Sequence, residues 1–364
     1  MPDGTKKITI MGADSFAGIL ARLAAETATE VLLYSEKENA AGKTGDGKRR
    51  RKRSKEVALP ASVRETSDIK EACNFAPVLI LAMSAAEVET AVKKMGDWLS
   101  GDKIIIHTAK GLLPSEERPL RVSEVIRGNS CIKKVGALSL PNIPAELASD
   151  APVAAVIASP FIEVTAAARM AFTTSRLQVF RNGDIAGVEI AGALKEVYSI
   201  AVGVAEGLGF GAATKALVFA RAVAEMTRLG VSLGAKRETF AGLASIADLF
   251  AAVESEACPH YLFGVKLGRA DGKNSTVGST KSPPLKMDGV ATVSCVYPYA
   301  RSLKIPMPIL FSLHDIFERK ISPATAAKKL IAIAAGAESE IFPDAVSISL
   351  HVPTLAPKGG EGKR

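Results

Sequence analysis

The sequence predicts two domains of different class, a doubly wound parallel α/β sheet followed by an all-helical domain. Three observations carry that prediction. Short apolar runs alternate with helical patterns through the first half of the chain. From Gly187 onward the texture changes to long helical patterns with few strand signals. Within that second part, Gly192–Gly211 is an apolar helical stretch running out into three closely spaced glycines, and its only lysine is Lys195. The 364-residue chain has room for both domains, and its 48% hydrophobic and 23% charged composition is that of an ordinary globular protein. The expected division is a sheet domain over 1–186, a helical domain over 187–336, and a disordered tail over 337–364.

The strand candidates are Ile8–Met11, Val31–Tyr34, Val78–Ala82, Ile104–His107, Val135–Leu138 and Val153–Ala158. The first runs into Gly12-Ala13-Asp14-Ser15-Phe16-Ala17-Gly18, where a Rossmann-type dinucleotide-binding domain places its glycine-rich phosphate turn. Only the first glycine of that pattern is present. Asp14 brings a carboxylate to the second position, Ala17 takes the third, and an ordinary strand-to-helix turn fits the segment equally well. After the second strand, Glu36 lies at the offset of a carboxylate that holds an adenosine ribose. The basic run Lys48–Lys55 beyond it suits a solvated loop; an import signal, a polyanion contact and a site for a nucleotide 2′-phosphate are sharper alternatives.

In the second domain, Thr214–Leu229 and Glu238–Val253 are expected helices, and Ser322-Pro323 starts another that stops at Gly336. The polar Arg269–Pro284 segment is an expected mobile loop. Lys195 is the only cation of its helical stretch, and its neighbour Glu196 is expected to face elsewhere, so burial would require a counter-charge from another part of the chain. A lysine snorkelling from an amphipathic helix is the alternative at this point.

Several classes are set aside. No apolar run has the length of a membrane span, and the N-terminus lacks a secretory apolar core, so an intracellular location, cytoplasmic or organellar, is expected. The four cysteines form no CxxC pair and the four histidines do not cluster, which indicates neither zinc nor a disulfide framework. The net charge of +8 comes largely from the basic run, and no aromatic residues interleave it, which argues against nucleic-acid binding.

Across about residues 6 to 336 the chain resembles the NAD-dependent glycerol-3-phosphate dehydrogenases. The matches are Gly187-Val188-Glu189, Gly192-Ala193-Leu194-Lys195, Gly203, Gly207-Leu208-Gly209-Phe210-Gly211, Lys110-Gly111-Leu112, Asn142-Ile143 with Glu146, and Thr214-Lys215-Ala216 with Arg221. Gly242-Leu243-Ala244 with Asp248-Leu249, and Phe263-Gly264 with Leu267-Gly268, complete them. The resemblance implies a homodimer of two-domain subunits that passes a hydride between NAD(H), with NADP(H) as an alternative, and glycerol 3-phosphate or dihydroxyacetone phosphate. It implies Lys195 as acid/base, its pKa drawn toward neutrality by burial and by Lys110, with Asp248 as the counter-charge. Lys110, Asn142 and Lys195 would bind substrate; Gly12, Ser15, Phe16, Ala17, Glu36 and Asp288 would bind the cofactor.

The departures from the family pattern concentrate on ligand contacts. The Asn after the lysine is Glu196, and the Ser-Arg-Asn that holds phosphate is Cys258-Pro259-His260. Proline supplies neither charge nor N–H, so His260, if protonated, is the replacement for the lost phosphate contact. Two functions follow from this balance: a working dehydrogenase with a remodelled phosphate site, or a catalytically impaired relative serving as a structural or regulatory subunit of a larger assembly.

Overall fold

The computed structural model describes residues 7–28, 30–36, 58–141, 143, 146–147, 149, 151–255, 257–271 and 287–332. The basic run, Asn142, Gly336 and the expected tail lie outside these residues. The N-terminal half contains an eight-stranded sheet built from β1 (Lys7–Met11), β2 (Glu30–Tyr34), β3 (Val63–Thr66), β4 (Val78–Leu81), β5 (Ile104–His107), β8 (Lys134–Ser139), β9 (Val153–Ala158) and β10 (Leu177–Asn182). β6 (Leu112–Leu113) and β7 (Leu120–Arg121) form a separate antiparallel pair.

The strand order is β10-β9-β8-β5-β4-β1-β2-β3, with every pairing parallel except β8 with β9. Ile10 of β1 pairs with Leu33 and with Ile80, and the order of connection reverses between these two neighbours of β1. Such a reversal opens a crevice at the carboxyl ends of the strands. The central strands read VLIL and IIIH without alternation because helices cover both faces. Those helices are α1 (Ser15–Ala25), α2 (Ile69–Phe75), α3 (Ala85–Met95), α4 (Val122–Gly128) and α5 (Ile162–Phe172).

The C-terminal half is helical: α6 (Ile185–Gly207), α7 (Ala212–Ser232), α8 (Asp248–Glu254), α9 (Pro259–Asp271), α10 (Asp288–Ser302), α11 (Pro308–Phe317) and α12 (Pro323–Ile331). α6 is its axis, buried at every residue from Ile185 to Ala205. Asp184 caps it by accepting from Gly187 N–H at 2.9 Å, and the same carboxylate accepts from Lys236 N–H and Thr239 Oγ1. Glu189 joins α6 to the sheet domain, accepting from Ser123 N–H and Ser123 Oγ, with His107 Nε2 3.0 Å away. Glu225 of α7 does the same within the helical core, accepting from Tyr198 and from the first amides of α11.

α6 and α9 run side by side in nearly backbone contact. A Cβ on Gly203 would lie 2.2 Å from Tyr261 O, and one on Gly264 would lie 2.1 Å from Ile200 O. Gly207 and Gly268 repeat the relation one turn on. These four glycines belong to the matched motifs, and their work is to bring two helices together.

The structure corrects several expectations. Glu238–Val253 is a 3₁₀ turn (Arg237–Ala241), a π turn (Leu243–Ala247) and α8, because Gly242 between the turns has extended backbone. α9 continues to Asp271, so Arg269–Asp271 of the expected loop is helical, and the rest of that segment, to Pro284, lies outside the described residues. β3 reads VRET at the sheet edge and lacks an apolar run, and β10 alternates buried with exposed residues, so neither was foreseen. Among the described residues, no helix is long and apolar enough to cross a membrane.

Candidate active site

The crevice beside β1 is lined by Met11, Gly12, Ala13, Asp14, Tyr34, Glu36 and Met83. Gly12 is required there, for a Cβ would lie 2.2 Å from Ala82 O at the end of β4. Ser15, Phe16 and Ala17 form the first turn of α1, whose N-terminal amides offer an anion site. Asp14 already uses it: its Oδ1 accepts from Ala17 N–H at 2.9 Å. Glu36 stands at the expected place but pairs at 2.9 Å with Lys94 of α3, a contact that the sequence did not show. Gly12 and Glu36 could therefore hold a dinucleotide, and Asp14 takes up an amide that a pyrophosphate would use.

The second cluster lies where the sheet domain meets α6. Lys110, following β5, donates to Leu140 O at 2.9 Å and to Asp248 Oδ2 at 2.5 Å. Asp248 opens α8 and is 2% exposed; its Oδ1 lies 3.5 Å from Lys195 Nζ and accepts no hydrogen bond among the described residues. The structure thus brings Lys195, Lys110 and Asp248 together as expected. Asp288, at the start of α10, lies beside Gly111: a Cβ there would be 3.7 Å from its carboxyl carbon.

Glu196 departs from expectation. Adjacent helical residues point about 100° apart, yet the long side chain of Glu196 turns back, and Oε1 sits 3.0 Å from Lys195 Nζ. Its other oxygen meets His260 Nδ1 at 2.6 Å. His260 Nε2 accepts from Gly289 N–H at 3.1 Å. Both ring nitrogens of the residue expected to meet the phosphate are thus engaged within the protein. Cys258, buried just ahead of α9, completes this corner, with its sulfur within 4.8 Å of the Glu196 and His260 ligand atoms. The signal for it was the Cys-x-His spacing, with Glu196 far away in sequence.

These contacts set the charges. Burial pulls the Lys195 ammonium down, but Asp248 and Glu196 outweigh it and hold its pKa above the ordinary lysine range. The expected fall toward neutrality is thereby reversed, because two carboxylates and not one flank the nitrogen. Lys110 goes the other way: burial lowers it, with Asp248 opposing. Burial pushes Glu196 up, while Lys195 and His260 outweigh that and hold it below the usual carboxylate range. Asp288 is raised to about 6 by burial and by the nearby Glu196. The arrangement provides a buried, fixed ammonium beside an acceptor oxygen with spare capacity, which is the equipment for moving a proton at a bound hydroxyl or carbonyl.

Comparison with known proteins places the chain in a family. Residues 7–165 match the N-terminal domain of NAD-dependent glycerol-3-phosphate dehydrogenase, and residues 184–328 match its C-terminal domain. A glycerol-3-phosphate dehydrogenase [NAD(P)+] of Halothermothrix orenii is 31% identical over 327 residues, 89% of this chain and 94% of that one. The enzyme of the same name from Staphylococcus haemolyticus is 31% identical over 313 residues, 85% and 93% of the two chains. The crystal structure of glycerol-3-phosphate dehydrogenase from Coxiella burnetii shares the fold, with a TM-score of 0.77 at 23% identity over 90% of this chain and 99% of that one. The chain belongs to the NAD-dependent glycerol-3-phosphate dehydrogenase family.

Proposed function

We propose that the chain is a working dehydrogenase that interconverts glycerol 3-phosphate and dihydroxyacetone phosphate, with Lys195 as its acid/base. The observation that supports this most is the buried triad in which Lys195 and Lys110 share Asp248, whose Oδ1 keeps unused hydrogen-bonding capacity. Bound along Gly12, the first turn of α1 and Glu36, NAD(H) supplies hydride chemistry. In the reducing direction the Lys195 ammonium gives its proton to the C2 oxygen as the carbonyl becomes a hydroxyl. In the oxidising direction the amine takes that proton back once it has lost its own against the pull of Asp248 and Glu196, which places that direction at alkaline pH. Lys110 adds a second positive charge to hold an anionic substrate, and Asp248 keeps both lysines in place. Asp288 lies where Gly111 leads toward the lysine cluster and is assigned to the cofactor side; Asn142 retains the substrate role implied by the family pattern.

NAD(H) is the assigned preference over NADP(H), because Glu36 would meet a 2′-phosphate with a like charge. A homodimer is assigned as well, supported by the exposed Leu243, Ile246 and Phe250 on one short segment, and sedimentation gives its mass directly.

The second reading, an impaired relative acting within an assembly, is favoured by one observation: Asp14 occupies the amide that a pyrophosphate would use. Fluorescence titration with NADH and NADPH, with and without dihydroxyacetone phosphate, followed by a turnover assay, separates the two. Binding with turnover is expected. A folded protein that binds neither cofactor at millimolar concentration would overturn the working-enzyme reading.

A further inference from the structure

Cys258, His260 and Glu196 each offer one ligand atom within 4.8 Å of the other two. We propose that they form a site for one divalent cation of the zinc type, whose open fourth position takes an oxygen of the substrate's phosphate. The phosphate part rests on the dehydrogenase reading above; the metal part does not.

The donor set decides the class of ion. Thiolate, imidazole and carboxylate together suit a borderline-soft cation, whereas magnesium and calcium take all-oxygen cages. Three protein ligands leave one tetrahedral position open, the pattern of a site that takes an exogenous oxygen. In such a site the donor atoms stand roughly 3.3–3.8 Å apart, from metal–ligand bonds of about 2.0–2.3 Å. His260 Nδ1 and Glu196 Oε2, now 2.6 Å apart, would open, and the widest separation, at most 4.8 Å, would close. Both are side-chain rotations. The backbones need not move, because the glycine contacts of α6 and α9 already fix one helix against the other.

Charge supports the same assignment. The cluster sets two lysines, Lys110 and Lys195, against three carboxylates, Asp248, Glu196 and Asp288. A divalent cation bound with loss of the Cys258 proton brings that count to balance. With Nδ1 on the metal, Nε2 carries the ring's proton and Gly289 N–H loses its present acceptor; this opposes metal entry and is limited by the position of that amide in the first turn of α10.

The test is a Co²⁺ titration of the full chain after dialysis against a chelator. One equivalent is expected, with a thiolate-to-cobalt band in the near ultraviolet and visible bands of four-coordinate intensity. Cys258→Ser, a near-isosteric change, should abolish the near-ultraviolet band and weaken cobalt binding at least ~100-fold, and His260→Asn should weaken it comparably. Inorganic phosphate should shift the visible bands. No thiolate band in folded wild-type protein would overturn the metal site, and a band that survives Cys258→Ser would overturn its ligand set. Bands unmoved by phosphate would overturn the assignment of the fourth position. Turnover of NADH with dihydroxyacetone phosphate, measured on the same samples, keeps the two readings apart: turnover without a cobalt band sinks the metal site alone, and a cobalt band without turnover in any metal state sinks the dehydrogenase alone.

Discussion

The first turn of α1 and the middle of α6 both carry a charged residue where the fold places ligand chemistry, and they treat it in opposite ways. Asp14 is exposed and accepts a backbone amide at 2.9 Å. Lys195 is 3% exposed and lies between two carboxylates, each with a further partner. At the first place a substitution changes what the site binds and little else. At the second, chemistry and folding share the same atoms, so a residue there can persist for either reason.

The largest effect is expected for Lys195→Ala. It leaves Asp248 and Glu196 buried with one positive partner fewer, and removing one member of a buried ion pair costs about 3–5 kcal/mol. Turnover should vanish while the protein, if it survives that cost, still binds NADH. Residual turnover in a folded variant would remove Lys195 from the mechanism and leave the α6 cluster a structural feature.

Next is Gly264→Ala, which touches no charged group. Its Cβ would sit 2.1 Å from Ile200 O, so α6 and α9 must separate, at a cost of the order of 1–3 kcal/mol for overpacking. Because His260 rides on α9 and Glu196 on α6, turnover should fall along with the melting temperature. A variant with both unchanged would show that the helix contact does not position the site.

Glu196→Asn has a smaller effect and a defined sign. Glu196 helps hold the Lys195 pKa above its ordinary range, so its loss lowers that pKa. Oxidation of glycerol 3-phosphate needs the neutral amine, and its rate rises as pH passes the Lys195 pKa; the rise should therefore move to lower pH in the variant. Reduction needs the ammonium and should lose rate at a lower pH than in wild type. A shift of about one unit corresponds to ~1.4 kcal/mol of lost carboxylate stabilisation. A profile displaced toward alkaline pH, or not displaced, would contradict the contact between Glu196 and Lys195.

The same comparison explains what the sequence could and could not reveal. Lys195, Lys110 and Asp248 are legible because the matched motifs place them, and the strand-to-helix alternation is legible because β4 is apolar throughout, β5 is apolar up to His107 and β1 is largely apolar. Helical phase places the Cβ of Glu196 on a different face from Lys195, while its long side chain returns the carboxylate to that neighbour. The partners of His260, Glu196 and Gly289, come from two other helices and leave no local signal in the sequence. The glycines of α6 and α9 were visible as a motif, but their reason is a helix contact that no local pattern encodes. β3 escaped because an edge strand need not be apolar.

The smallest stability change and the most direct probe of the cofactor crevice is Asp14→Gly. Glycine is nearly as good an N-cap as aspartate, so α1 should lose only a few tenths of a kcal/mol. The Ala17 amide is then released, and the carboxylate that faces the pyrophosphate position is gone. Removing that repulsion and restoring the amide as a donor should together contribute about 1.4 kcal/mol, or roughly tenfold tighter NADH binding, by calorimetric or fluorescence titration. Lys195 is untouched by this change, so kcat at saturating NADH should stay the same. If NADH affinity does not rise, Asp14 is not what limits the crevice. If kcat rises as well, the two regions are coupled, and the separation drawn between an exposed turn that tunes binding and a buried cluster that carries chemistry fails.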